Sequence, residues 1–219
     1  MIYTSSYKNW NGGTYYCRSI SGDRGKDANY EGECYPDLAP KKEFWRKWKN
    51  NRGIIPEEEN NMYYIEEYYK QVLSQLEVSE VYRELNDNVL LCYEDNMEFC
   101  HRHIVAAWFE LLLNENVQEV KSYYEGTQFK VEYLDKPKYI KEYLEIVIKK
   151  NKNMKGFNSL GALYLFEKGE KYEALANKLE KENGNCYDNY RQLACFLRCD
   201  ADMAEEEYNA KNKQKVIKK

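Results

Sequence analysis

The strongest constraint on the fold of this chain is a change of hydrophobic period near its middle. Val89 to Cys92 form a short, continuous apolar run, which is typical of a β-strand covered on both faces. A polar turn follows, and then Ile104 to Leu113 are almost entirely apolar, which predicts a helix buried on most sides. Asp95 and Glu98 have the spacing of a capping box, so we expect this helix to begin with Asp95 as its N-cap.

The segments before and after this pattern predict an α/β protein. Ile2 to Ser6 and Thr14 to Ile20 resemble two further strands, and the polar residues 21–40 form a predicted long loop, a common place for a binding site. From Pro137 onward the pattern is helical, with breaks expected at several Asn and Gly positions that include Gly169. We therefore predict a small, mostly parallel sheet flanked by helices, with a C-terminal all-helical extension. The predicted boundaries are 1–135 for the α/β domain, 136–210 for the helical extension and 211–219 for a frayed basic tail.

The expected cellular compartment follows from what the sequence lacks. The first residues, Met1 to Lys8, have no apolar segment of the kind that a signal peptide needs. The longest apolar stretch contains Glu110 and is about half as long as the roughly 20 residues of a membrane helix. We therefore expect a cytoplasmic protein without a membrane span. In that compartment the seven cysteines, an odd number, should be thiols, ligands or reactive groups rather than disulfides.

A cluster of reactive side chains surrounds the predicted turn. Both histidines of the chain, His101 and His103, lie within three residues of Cys100. If Cys92 ends a strand and Cys100 lies in the first turns of the next helix, two sulfurs and an imidazole should meet in one crevice. A helix N-terminus favours bound anions and the thiolate form of cysteine. We therefore expect an enzyme-like site that binds an anionic, nucleotide-derived small molecule.

Each residue of this cluster has a predicted role. Cys100 is the expected nucleophile, with Glu94 or His101 as its proton-transfer partner and Cys92 as a second reactive thiol. Arg102 is expected to hold the anion. The side chains expected to form the pocket wall are Tyr35, Pro36, Tyr93 and His103. The chain lacks the P-loop, dinucleotide-binding, nucleophile-elbow and H-E-x-x-H motifs, so no class of reaction follows from a motif.

Zinc binding is one alternative function for the same residues. Cys92, Cys100, His101 and His103 carry the ligand types that zinc prefers. Their C-x7-C-H-x-H spacing departs from common structural sites, and histidines two apart on a helix point in nearly opposite directions. We therefore assign no metal to the cluster.

Two further alternatives stay open. The cluster could be structural, with Arg102 paired to Glu94 to tie the turn to the sheet. The 22 tyrosines could instead belong to a noncatalytic module that binds nucleic acid or protein. The acidic first half of the chain argues against nonspecific binding to duplex nucleic acid.

The cluster resembles the family catalogued as domain of unknown function 488. Its members have Leu-Leu-Cys-x-Glu, a short spacer, Cys-His-Arg and an apolar helix that often carries Trp. In this chain the motif corresponds to residues 90–94 and 99–108. Looser similarity at Ile2 to Thr4, Ser19 to Ser21 and Tyr35 to Pro40 extends the resemblance over about residues 1–115. The resemblance implies an α/β domain and a suspected enzyme with paired cysteines, whose reaction is not settled.

Overall fold

The structure, a computed structural model, describes residues 1–13, 16–183 and 187–217. The first two residues of the predicted second strand, Cys186 and the last two residues of the predicted tail lie outside these ranges. The chain divides into two compact units between Asn151 and Lys152.

The first unit is built on a single sheet that has five strands within the described residues. In chain order they are β1 (Tyr3–Ser6), β2 (Cys17–Ser19), β3 (Val89–Cys92), β4 (Gln118–Glu125) and β5 (Gln128–Leu134). Their order across the sheet is β2-β3-β1-β4-β5; the first four run parallel, and β5 is antiparallel to β4. The predicted mostly parallel sheet is therefore confirmed, and all four residues of the apolar run that forms β3 are buried.

The helices flank this sheet and then continue as the predicted C-terminal helical region. In the first unit they are α1 (Lys42–Asn51), α2 (Glu57–Gln71), α3 (Val78–Glu84), α4 (His101–Leu112) and α5 (Tyr139–Asn151); in the second they are α6 (Leu160–Asn183) and α7 (Asp188–Ile217). The break predicted at Gly169 is wrong, because this glycine lies inside α6. A Cβ atom at Gly169 would lie 3.0 Å from the carbonyl oxygen of Ala194 on α7, so the glycine permits close helix packing. No helix in the described ranges has both the length and the apolar character that a bilayer crossing requires.

The two faces of the sheet are covered differently. Helix α4 packs on β1 and β3. On the opposite face, Leu91 belongs to a small core that aromatic side chains from the loops cover, namely Tyr7, Trp10 and Tyr30. Because successive residues of a strand point to opposite faces, Leu91 and Cys92 belong to different environments.

The strand order creates a switch point between β1 and β3. From β1 the chain passes β3 to reach β2 at one edge of the sheet. From β3 it passes β1 in the opposite direction to reach β4. Ser6 and Cys92, the last residues of β1 and β3, are paired neighbours in the sheet. Open α/β sheets bind ligands in the crevice at such a point, outside the carboxyl ends of the strands. The fold therefore places Cys92 where this sheet offers a binding crevice.

Helix α5 belongs to the first unit. Its buried residues are Ile140, Leu144, Val147 and Ile148, and it packs against α2 and α4. The boundary expected from sequence, after residue 135, lies before this helix. The amphipathic pattern of α5 shows that one face is covered but does not show which neighbour covers it.

Replacing Leu144 with alanine tests this assignment. Leu144 is fully buried, so its truncation should lower the free energy of unfolding by about 2–5 kcal/mol. Ile146 on the same helix is 56% exposed, and its replacement by alanine should change that free energy by no more than about 0.5 kcal/mol. Denaturant unfolding followed by circular dichroism measures both variants. Equally small effects would show that α5 contributes nothing to the core of this unit.

Candidate functional site

Cys100 is the N-cap residue of α4, which begins at His101. The predicted helix start at Asp95 is therefore wrong. Asp95 and Glu98 do make reciprocal contacts: the Asp95 N–H donates to Glu98 Oε2 at 2.8 Å, and the Glu98 N–H donates to the Asp95 carbonyl at 3.2 Å. These bonds close a separate turn before the helix. Cys100 thus lies at the positive end of the α4 dipole, which favours a thiolate there.

The imidazole of His101 lies against both sulfurs. Its Nδ1 is 3.5 Å from Cys92 Sγ and 4.0 Å from Cys100 Sγ. Its Nε2 is 2.9 Å from the carbonyl oxygen of Ile20. A carbonyl can only accept a hydrogen bond, so Nε2 carries a proton and Nδ1 faces the sulfurs. The Ile20 carbonyl therefore orients the ring for proton exchange with a thiol.

Glu94 connects this interior cluster with the surface. The Cys92 thiol donates to Glu94 Oε2 at 3.4 Å, and Glu94 itself is half-buried. Burial and the nearby Cys100 sulfur raise the pKa of the Glu94 carboxyl to about 7. Its protonation therefore changes near neutral pH, as a general acid or base requires.

The two thiols have opposite pKa shifts. Burial alone would raise the pKa of Cys100, but the contact with Cys92, the Arg102 charge and His101 together hold it well below its usual value. Burial and the Cys100 sulfur raise the pKa of Cys92 well above its usual value. A single negative charge in this cluster therefore resides on Cys100, while Cys92 keeps its proton. The pKa of His101 is raised despite burial, because Cys100 and Glu94 favour the imidazolium.

Arg102 is fully buried and forms an ion pair with Glu119 of β4. Its Nη2 donates to Glu119 Oε1 at 2.9 Å and to the carbonyl of Asp95 at 2.9 Å. The predicted pairing of Arg102 with Glu94 is wrong. Thr4 donates a further hydrogen bond to Glu119 at 2.6 Å, so the carboxylate links β1, β4 and α4. Arg102 thus lies in the interior, beside the Cys100 sulfur, rather than at an open surface.

His103 lies apart from the sulfurs. Its Nε2 is 3.4 Å from Glu119 Oε2, and the ring is buried. His103 thus belongs to the Arg102–Glu119 pair and not to the crevice at Cys92. Burial would raise the pKa of Glu119, but His103 and Arg102 lower it below its ordinary value.

Tyr93 fixes the loop that follows β2. Its hydroxyl donates to Asp23 and accepts the Asp27 N–H at 3.1 Å. Burial opposes ionisation of Asp23, but the bonds from Tyr93 and the neighbouring backbone lower its pKa to about 2. Tyr93 therefore joins the loops after β2 and β3 at the mouth of the switch point.

Tyr35 and Pro36 do not contact the sulfurs. Tyr35 donates to Glu84 at 2.7 Å, and Pro36 is exposed at the start of a 3-10 turn. The same turn reaches the cluster indirectly: the Leu38 carbonyl accepts a 2.5 Å bond from Tyr68, whose ring centroid is 5.8 Å from that of His101. Tyr68 is the buried residue through which this segment supports the site.

Three groups that contact the site residues are not predicted from the sequence. Glu119 and the Ile20 carbonyl are distant in sequence from the motif, and no local pattern marks them. Tyr68 was visible as part of a helical aromatic stripe, but that stripe indicated only a packed face.

A cavity of about 400 Å³ lies on the other side of the sheet. Its lining includes Tyr7, Trp10, Tyr30 and Leu91, and it contains none of the predicted site residues. Since Leu91 and Cys92 point to opposite faces, this cavity and the sulfur cluster are separate features.

Within the described part of the chain, one group of three residues could hold a metal ion. Cys92, Cys100 and His101 each offer one ligand atom, and these atoms lie within 4.8 Å of one another. In tetrahedral zinc the ligand atoms are about 3.5–3.8 Å apart, given bonds of about 2.0–2.3 Å. The observed nitrogen–sulfur distances of 3.5 and 4.0 Å are close to this spacing. The cluster therefore fits zinc with three ligands, and His103 is not one of them.

Comparison with known protein families gives a match to part of the chain. Residues 14–112 match the family model DUF488-N3a, described as the active DUF488-N3 subclade. This segment is DUF488-like. The predicted resemblance is thus confirmed, and the match includes Cys92, Cys100 and every other residue of the motif. No curated protein and no solved structure gives a match.

Replacing Glu119 with glutamine tests the buried ion pair. The change leaves Arg102 without a counter-charge, so the free energy of unfolding should fall by about 3–5 kcal/mol. The pKa of Glu119 is lower in the folded protein than in the unfolded chain. The ionised carboxylate therefore stabilises the fold at pH values above the unfolded-state pKa, and this stabilisation is lost as the pH falls toward the folded-state pKa. The difference in unfolding free energy between the wild type and Glu119→Gln should therefore decrease as the pH falls below the ordinary pKa of glutamate, about 4.3.

The matched control is Glu66→Gln. Glu66 pairs with Lys70 and Lys150 on the surface, so this change should cost less than about 1 kcal/mol. Denaturant unfolding at several pH values compares the two variants. If Glu119→Gln is as stable as the control, the Arg102–Glu119 ion pair does not stabilise the fold.

Proposed function

We propose that the DUF488-like segment forms a thiol-dependent enzyme site for an anionic small molecule of the nucleotide-derived class. The observation that carries this proposal is the position of Cys100. It caps α4 between the Arg102 charge and the His101 ring, and its pKa is lowered. Reactive cysteines occur in such positively charged surroundings, whereas structural buried cysteines remain inert thiols.

The neighbouring residues have complementary roles in this proposal. Cys100 is the nucleophile. Glu94, with a pKa of about 7, transfers the proton. When Glu94 is itself protonated, the single proton of the Cys92 thiol is donated to the Cys100 thiolate instead of to Glu94. His101, oriented by the Ile20 carbonyl, balances the negative charge. The matched subclade is described as active, which agrees with an enzyme.

Arg102 has a different role from the one that the sequence indicated. Its charge is already balanced by Glu119 in the interior, so in this proposal it stabilises the Cys100 thiolate. The ligand approaches from the side of Glu94, which is half-buried while both sulfurs are buried. Attraction of an anion then depends on the N-terminus of α4 and on the imidazolium.

Alkylation at neutral pH tests the proposal without a known substrate. Cys100 should react with iodoacetamide faster than the exposed Cys195, because it is already a thiolate. The preference for anionic iodoacetate over neutral iodoacetamide should also be greater at Cys100 than at Cys195. Cys92→Ala should slow the reaction at Cys100, because it removes the hydrogen bond that lowers the pKa. Mass spectrometry of each cysteine peptide measures these rates.

Cys34→Ala is the matched control for this experiment. Cys34 is a free, half-buried cysteine outside the cluster, so its loss should leave the rate at Cys100 unchanged. Reaction at Cys100 only after unfolding would show a sealed structural thiol and would refute the enzyme proposal.

Zinc binding is the second candidate, and the convergence of Cys92, Cys100 and His101 favours it. The bond from Nε2 to the Ile20 carbonyl would orient the imidazole, as second-shell acceptors do at zinc sites. Elemental analysis of the purified protein separates the two candidates. The thiol proposal expects no stoichiometric zinc. One zinc per chain that is lost in Cys92→Ser but kept in Cys34→Ala would establish the metal site instead.

A further inference from the structure

Strand β5 is an open edge of the sheet. It lies at one end of the strand order, and among the described residues it pairs only with β4. Its register with β4 is continuous from Gln128 to Leu134, without a bulge, and it contains no proline or glycine. Natural sheets usually protect their edges by such interruptions or by covering the strand. Among the described residues this seven-residue edge has neither an interruption nor a covering strand, so its outer N–H and C=O groups can pair with another strand. Its charged residues, Lys130 and Glu132, disfavour pairing with a strand whose charges do not match.

One face of the β4–β5 hairpin is apolar and exposed. Phe129, Val131 and Tyr133 alternate along β5 and are 43%, 47% and 62% exposed. Tyr124, opposite Phe129 in the register, is 61% exposed and continues the same patch. Contiguous apolar surface of this kind marks an interaction site.

The sequence of β5 is complementary to itself in the antiparallel direction. A two-fold axis at Val131 places Lys130 opposite Glu132 of a second copy, and Glu132 opposite Lys130 of that copy. The same register places Phe129 opposite Tyr133. Opposite charges and aromatic pairs directly across from one another stabilise antiparallel strands. Both the charge pattern and the aromatic pattern therefore select the same register.

The other edge of the sheet is a poor partner. Strand β2 has three residues, and its last residue, Ser19, forms a bridge to Cys34 that covers part of the edge. Pairing of β5 with β2 would create an open chain of subunits, whereas pairing of two β5 strands closes after two copies. The geometry therefore favours a closed dimer.

We propose that two copies of this chain associate through antiparallel pairing of their β5 strands about a two-fold axis at Val131. The two sheets then continue into one another, and the exposed aromatic side chains of the two hairpins lie side by side on one face. This association is independent of the chemistry at Cys100.

Charge reversal on β5 tests the proposed register. Lys130→Glu and Glu132→Lys each place like charges opposite one another twice in the dimer, and each should weaken self-association about tenfold or more. A mixture of the two single variants restores both opposite-charge contacts, so it should form the mixed dimer. The double variant should self-associate like the wild type. Sedimentation velocity over a concentration series measures all four cases.

Lys121→Glu is the matched control. Lys121 lies opposite Glu132 inside the hairpin, so the change disturbs the same face of the hairpin but not the outer edge of β5. This variant should keep the wild-type association constant. The proposal fails if the wild type is monomeric at every concentration, or if the single variants dimerise as well as the wild type. Circular dichroism of each variant establishes that the fold is intact.

Discussion

The buried pair of Arg102 and Glu119 connects the fold with the chemistry of the site. A guanidinium without exposure requires a counter-charge, because an isolated charge in the interior is far too costly. Glu119 supplies that charge from β4, and Thr4 on β1 orients the carboxylate. The pair therefore fixes α4 against the central strands. It also holds a positive charge beside Cys100, where the helix N-terminus adds to its effect.

This arrangement explains why the two cysteines differ although they are neighbours. Both are buried, and burial alone opposes ionisation of both. In a medium of low dielectric one negative charge strongly disfavours a second one nearby. The charge resides on Cys100, where the contact with Cys92, the Arg102 charge and His101 together outweigh burial. Burial and this negative charge raise the pKa of the Glu94 carboxyl. The cluster thus contains an anion, a retained thiol proton and a carboxyl group that titrates near neutral pH.

The parts of the structure that the sequence predicted are those that local patterns encode. The buried strand at Val89 to Cys92 and the apolar helix after it follow from hydrophobic period, and they bring Cys92, Cys100 and His101 together because only a short turn separates them. The start of α4 was not predictable, because the two residues with capping-box spacing, Asp95 and Glu98, close a separate turn before the helix. Glu119 was not predictable either: its role depends on strand pairing between distant parts of the chain, which no local period records.

The matched family segment ends before the β4–β5 hairpin, yet this hairpin completes the site. Residues 14–112 contain the motif, whereas Glu119, the counter-charge of Arg102, lies near the start of β4. Strand β4 pairs with β1 only at Gln118 and Glu119, and the rest of its length is paired with β5. The inner side of β4 is also held by hydrogen bonds with Ser5, Asn9 and Asn11, so the carboxylate is positioned from both sides of the strand. Because Glu119 balances Arg102 from β4, the charge beside the Cys100 sulfur depends on residues that lie outside the matched family segment.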